Sequence, residues 1–217
     1  MSHRKCKTVY YYRELGEAAK AVARNQWRDG GLPEGWEDGT IADFIKVAKI
    51  LGVEMSYGAV PVVAGVSREE PRIFFSVEAN VGLGASFDGC YGYSKGWRKK
   101  LAAYAPLDKA LLEIGNLLQK AQRHAAYGAY AEISKLGSFF EPGSILVRVG
   151  YEGDAPSSYA VDSAIEEAIR LLAGWLHTRL VAEWEYQLSD NRADSLLLED
   201  EISEFEVNGI TAQEAIR

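Results

Sequence analysis

After Pro156 the chain continues without another proline, and within that stretch Val161, Ile165, Ala168, Ile169, Leu172, Leu176 and Leu180 recur at the three- and four-residue spacing of one helix face. The spacing predicts a single long helix over roughly Val161 to Leu188. An apolar stripe of that length must be covered, either by the chain's own sheet or by a second copy of the helix, so a homodimer through it is one way to satisfy the pattern.

The remainder of the chain has the means to cover it. Of 217 residues, 47% are hydrophobic and 25% charged, with a mean hydropathy of −0.16. That is the composition of a globular protein, and it excludes disordered, collagen-like and membrane-spanning classes. A chain of this length buries roughly 70% of the surface its unfolded form exposes, so one domain needs neither a disulfide nor a metal to hold it. No positively charged segment followed by an apolar run leads the chain, and Cys6 and Cys90 are the only cysteines. A cytosolic setting with free thiols is expected, with no association with a membrane.

Elements come in blocks. Lys7 to Tyr12 is β-branched and aromatic and predicts a strand; Glu14 to Arg28 carries Leu15, Ala18, Ala19, Val22, Ala23 and Trp27 at helical spacing. A second helix starts after Asp38 or Thr40, turns Ile41, Phe44, Ile45, Ala48 and Leu51 inward and stops at Gly52. Arg72–Ala79 and Ala85–Tyr93 read as a hairpin joined through Asn80-Val81-Gly82-Leu83-Gly84, and residues 56–71 as a loop insertion holding a short apolar strand. Trp97–Tyr104 and Asp108–His124 are helical. Ala126–Leu136 and Ser144–Tyr151 form a second hairpin around Glu141-Pro142-Gly143. A short helix near Ala193–Glu199 and an edge strand at Glu204–Asn208 follow. The class is therefore α+β: an antiparallel sheet of two hairpins plus terminal strands, packed against several helices in a single domain.

No reaction is written in these residues. Gly82-Leu83-Gly84 precedes a strand rather than a helix, so it reads as a hairpin turn and not as a phosphate cradle. His3, His124 and His177 do not combine with cysteines or carboxylates at metal-ligand spacing, and no cofactor is implied. Cys90 with His124 as its base has no local support, and a buried strand cysteine is expected instead. A non-enzymatic protein follows.

Two charged regions stand out. Lys95, Trp97, Arg98, Lys99 and Lys100, with Tyr91, Tyr93 and Tyr104 nearby, mix cations and aromatics as single-stranded nucleic-acid surfaces do. Opposite in sign is the stretch from Ala182 to Glu206, which holds nine acids against one base in a chain whose net charge is −7. Glu183, Glu185, Asp190, Asp194, Glu199, Asp200 and Glu201, with Trp184 as an aromatic anchor, are the candidate contacts for a partner with a basic surface.

The chain carries the short motifs Tyr12-Arg13-Glu14-Leu15 with Ala18-Ala19-Lys20, Phe74-Phe75-Ser76 leading to Gly84-Ala85-Ser86-Phe87-Asp88-Gly89, Tyr91-Gly92-Tyr93-Ser94-Lys95-Gly96, Tyr104-Ala105-Pro106-Leu107-Asp108, and Glu183-Trp184-Glu185-Tyr186-Gln187-Leu188-Ser189-Asp190. In these it resembles a family of phage and prophage proteins labelled "antitoxin of toxin–antitoxin stability system". Val77-Glu78-Ala79-Asn80-Val81, where that family usually has a polar, aromatic stretch, is a departure. The resemblance implies a phage-borne accessory protein acting in a bacterial cytoplasm, and it supplies no catalytic residues. Together with the acidic region it points to an inhibitor of a host defence component, anti-CRISPR-like, whose target is a nucleic-acid-binding immune effector. An antitoxin neutralising a cognate toxin and a nucleotide or single-stranded nucleic-acid binder working through Lys95–Lys100 are the alternatives.

Overall fold

The computed structural model describes residues 11–199 apart from 64, 79–81, 138–139 and 141. Where length suggests one domain, the described residues divide into two compact units, one formed by residues 11–36 and 182–199 and the other by residues 37–181.

In the first unit, a 3-10 turn at Tyr12–Glu14 leads into α1 (Glu17–Asp29). Tyr12 thus begins a turn rather than ending a strand; the rest of that expected strand, apart from Tyr11, and the one at Glu204–Asn208 lie outside the described residues. The last residues of α5 (Tyr159–Gln187) belong to this unit, as does α6 (Asp190–Glu199). Tyr12, Leu15, Ala19, Ala23 and Leu197 form its core, with Trp27 packed against them.

The larger unit is built on a four-stranded antiparallel sheet. It opens with α2 (Asp38–Leu51), which buries Phe44, Val47, Ala48 and Leu51 and ends at Gly52, in the left-handed region at φ +93°. The strands are β1 (Val53–Met55), β2 (Tyr57–Val63), β3 (Val66–Pro71), β4 (Ile73–Ser76), β5 (Gly84–Phe87), β6 (Gly89–Tyr91), β7 (Ala129–Lys135) and β8 (Ile145–Tyr151). The large sheet has the order β1-β6-β7-β8, while β2-β3 and β4-β5 are separate two-stranded ribbons. Residues 57–71, expected as a loop around a short strand, are thus a full hairpin. The single strand expected over Ala85–Tyr93 breaks at Asp88, and its second half pairs with β1 and β7 instead of β4.

The physical reason is a closed ring of backbone hydrogen bonds. Arg72 N–H donates to Ser56 O (2.8 Å), Ser56 N–H to Asp88 O (2.9 Å) and Asp88 N–H to Arg72 O (2.9 Å). Three ribbons radiate from this triangle. The Asp88 carboxylate ties it down, accepting from Lys135 N–H at 2.7 Å and from Arg72 Nε at 2.6 Å. Gly84-Ala85-Ser86-Phe87-Asp88-Gly89 is therefore a structural crossing: residues 84–87 are buried, and a Cβ on Gly89 would sit 2.3 Å from Glu54 O.

Helices cover one face of the sheet. α3 (Trp97–Tyr104) and α4 (Lys109–His124) follow β6; Asp108 caps α4 by accepting from Leu111 N–H. Gln122 on α4 donates to the Tyr91 hydroxyl (3.1 Å) and to Ala129 O (2.6 Å), stitching helix to sheet. Phe44 meets Phe87 at 5.3 Å and Trp175 at 6.5 Å between ring centroids. Every residue of the stripe from Val161 to Leu180 is buried, each large aliphatic side chain contributing about 1.5–3 kcal/mol on removal from water. Among the described residues no helix is long and apolar enough to cross a membrane.

Candidate functional site

The opposite face of the large sheet is open. Strand side chains alternate, so β6 turns Tyr91 into the core and Cys90 outward, while β7 buries Ala129, Ala131 and Ile133 and exposes Tyr130 and Glu132. The register aligns Glu54, Cys90 and Glu132 in one row across β1, β6 and β7. Cys90 is exposed, correcting the expectation of a buried thiol, and is free. Its burial was misjudged because the side of a three-residue strand that is covered depends on helices elsewhere in the chain.

Beside this row lies a groove of about 630 Å3. Tyr93 and Tyr130 line it, Lys49 and Lys100 line it from α2 and α3, and Glu54 and Glu132 line it from β1 and β7. Among the described residues none of these four charged side chains is engaged in a hydrogen bond or ion pair. The aromatic wall is positioned by unusual backbone. Tyr130 lies across Gly150, its partner on β8, where a Cβ would come within 2.4 Å of the ring. Ala126 and Tyr127 both adopt positive φ, 48° and 66°, after α4. Left-handed conformations cost non-glycine residues about 1–2 kcal/mol each. What the strained turn achieves is to bring the Tyr127 ring to 4.7 Å from that of Tyr93.

The basic segment divides. Lys95, Arg98, Lys99 and Lys100 are exposed and no acid occurs between Cys90 and Leu107, but Trp97 is only 5% exposed. This is a correction: Trp97 is core, its indole N–H donating to Gln119 Oε1 at 3.1 Å and its ring seated on Gly115, where a Cβ would approach to 2.2 Å. Arg98 lies over the indole at 5.4 Å and bonds Asn116. His124 is exposed at the end of α4 and does not line the groove that holds Cys90. Among the described residues no group of three or more His, Cys, Asp or Glu side chains is placed to hold a metal.

The acidic segment is corrected more deeply. Asp194 accepts from Arg24 Nε at 2.6 Å and from the Tyr12 hydroxyl, and Asp190 pairs with Arg28 and, at 3.7 Å, with Arg24. Both carboxylates thus fasten α6 to α1 rather than standing free. Glu183 accepts from Gln187 at 2.7 Å and Trp184 is half-buried. Glu185 and Glu199 remain exposed, with Tyr186 and Leu198 beside them in sequence, also exposed. Asp200 and Glu201 lie outside the described residues. No local pattern marks this latch, because the arginines are some 160–170 residues away.

The latch carries a pH signature. The Arg24 guanidinium, through its hydrogen bond, holds the Asp194 carboxyl below its usual range. Its stabilising contribution is present above the ordinary carboxylate pKa and is lost as pH falls through the lowered folded value. Burial, then the bond to Asp194, pushes the Tyr12 phenol up from 10.0 to about 12, so its contribution is full below 10 and disappears as pH rises through about 12. Arg24→Gln is expected to weaken the latch by about 1–2 kcal/mol, speeding exchange of the α6 amides roughly tenfold at neutral pH while β7 and β8 amides are unaffected. Unchanged α6 protection would show the pairs to be inert.

Fold and site define an α+β protein with helices on one face of an antiparallel sheet and a groove on the other. The chain belongs to the family defined by a domain of unknown function, DUF8835, whose model matches residues 36–190. No curated protein and no solved structure matches it.

Proposed function

We infer that the protein is a non-catalytic binding protein that holds a nucleotide, free or as part of a single strand of nucleic acid, in the groove of the open sheet face. The observation that carries this reading is the convergence of tyrosine rings with two unpaired lysines on a surface of polar strand residues. Aromatic faces stack on bases regardless of sequence, and the ammonium groups suit a phosphate. The remaining basic residues of α3 extend the positive rim for a strand longer than one nucleotide. The overall charge of −7 opposes non-specific adsorption, which favours a confined site over a broad basic surface.

Retention of a fluorescent ten-nucleotide single strand, measured by anisotropy across a salt series, tests this. Wild-type protein is expected to bind, with affinity falling as salt rises. Lys49→Ala with Lys100→Ala should flatten the log–log slope by about 1.4, that is about 0.7 for each lost phosphate contact. Wild-type affinity insensitive to salt, or absent at low salt, would remove the reading.

A second reading rests on the exposed Glu185, Tyr186, Leu198 and Glu199: a phage accessory protein in a bacterial cytoplasm that docks on a basic host defence protein, or on a cognate toxin. An apolar anchor within an acidic rim suits such a surface. Reversing Glu185 and Glu199 to lysine should then abolish inhibition of the defence system or rescue from the toxin, and inhibition or rescue that survives the reversal would dispose of it.

A further inference from the structure

Glu54 and Glu132 are unexpected in a phosphate-binding groove. Each lies directly across from Cys90 in the register, on either side of it, and all three side chains are exposed on the same face. Neighbouring strands are about 4.8 Å apart, so the two glutamates rise about 10 Å from each other with the short cysteine side chain between them. Both line the groove together with Lys49 and Lys100; Glu132 has the exposed Arg148 directly across from it on β8, and among the described residues no ion pair within 4 Å engages either carboxylate. An ionised carboxylate accepts hydrogen bonds and donates none. Beside a bound phosphate it repels the ligand unless it meets a donor. A nucleotide that places its phosphate at the lysines and its base on the tyrosines has one sugar donor between them, the 2′-hydroxyl, and only if the sugar is ribose.

Resting on the binding reading above, we propose that the groove selects ribonucleotides over deoxyribonucleotides, the carboxylate row of Glu54 and Glu132 accepting a hydrogen bond from the ribose 2′-hydroxyl. The 2′-hydroxyl is the group by which a site distinguishes RNA from DNA. A 2′-deoxy sugar offers neither carboxylate that donor, and the repulsion stands. The small Cys90 side chain gives the sugar room to approach both carboxylates.

The experiment compares a uridine decanucleotide with its 2′-deoxy counterpart on the intact protein, uracil being chosen because it carries no exocyclic amine and its one donor, N3–H, is the same in both strands. The ribo strand is expected to bind about tenfold or more tightly, the effect of a hydrogen bond to a charged group. Glu54→Ala with Glu132→Ala should erase the preference, leaving deoxy affinity equal or improved; that retained deoxy binding also shows the exposed-site variant to be folded. Equal wild-type affinity for both strands overturns this proposal while leaving the binding reading intact. So does a preference that appears only when adenine replaces uracil and is the same for ribo and deoxy strands, since the carboxylates would then read the base. Binding of neither strand overturns both.

Discussion

Gly52→Ala is expected to be among the most damaging single substitutions in the larger unit, costing about 3 kcal/mol or more. Two effects add. The residue sits at φ +93°, where a Cβ is strained in any surroundings, and that Cβ would lie 2.0 Å from Gly92 O. Gly52 O also accepts from Gly92 N–H at 2.9 Å, so the close approach is part of the pairing that leads β6 out towards Tyr93. Moving the two segments apart to admit a methyl group breaks that bond and displaces the groove wall. Urea denaturation should show a lower midpoint at unchanged slope. Gly39→Ala is the control, at a helical position where a Cβ meets nothing within 4 Å. A stable Gly52→Ala protein would mean that this contact relaxes at little cost.

Tyr93→Ala and Tyr130→Ala are each expected to weaken binding of a single-stranded oligonucleotide by roughly 5- to 150-fold, because base stacking on an aromatic side chain contributes about 1–3 kcal/mol. Tyr93 has the larger expected effect. Its loss also frees Tyr127, whose ring it holds at 4.7 Å. Tyr159→Ala, at an exposed tyrosine at the start of α5, should change nothing. Phenylalanine at either position should retain most of the affinity, which separates stacking from hydroxyl chemistry. Wild-type binding in Tyr93→Ala would remove the tyrosines from the site.

Much of the fold was legible because it depends on neighbours in sequence. The helix period of Val161 to Leu180 requires no knowledge of what covers it, and Gly52 announces the end of α2 through its freedom at positive φ. The turn chemistry around Pro142 and Gly143 placed the β7–β8 hairpin, and the cations around Lys100 were recognisable as a cluster. Other features were not legible. Trp97 carries the same residue type whether it faces a ligand or Gly115, and only the packing of α3 on α4 makes it core. Asp190 and Asp194 look like free surface charge until α1 brings Arg24 and Arg28 to them. The Asp88 junction, which ends one ribbon and starts another, requires three chain segments to meet at once.

Local order thus came from the sequence alone: the α+β class, the antiparallel hairpins, the long helix and the uneven distribution of charge, all of which follow from spacing along one stretch of backbone. Tertiary structure decided which carboxylates stay available, which aromatics are walls and which are core, and that Cys90, Glu54 and Glu132 share an open face. Alternation within a strand dictates that Cys90 and Tyr91 point to opposite sides, but helices contributed from distant parts of the chain determine which side is closed to water.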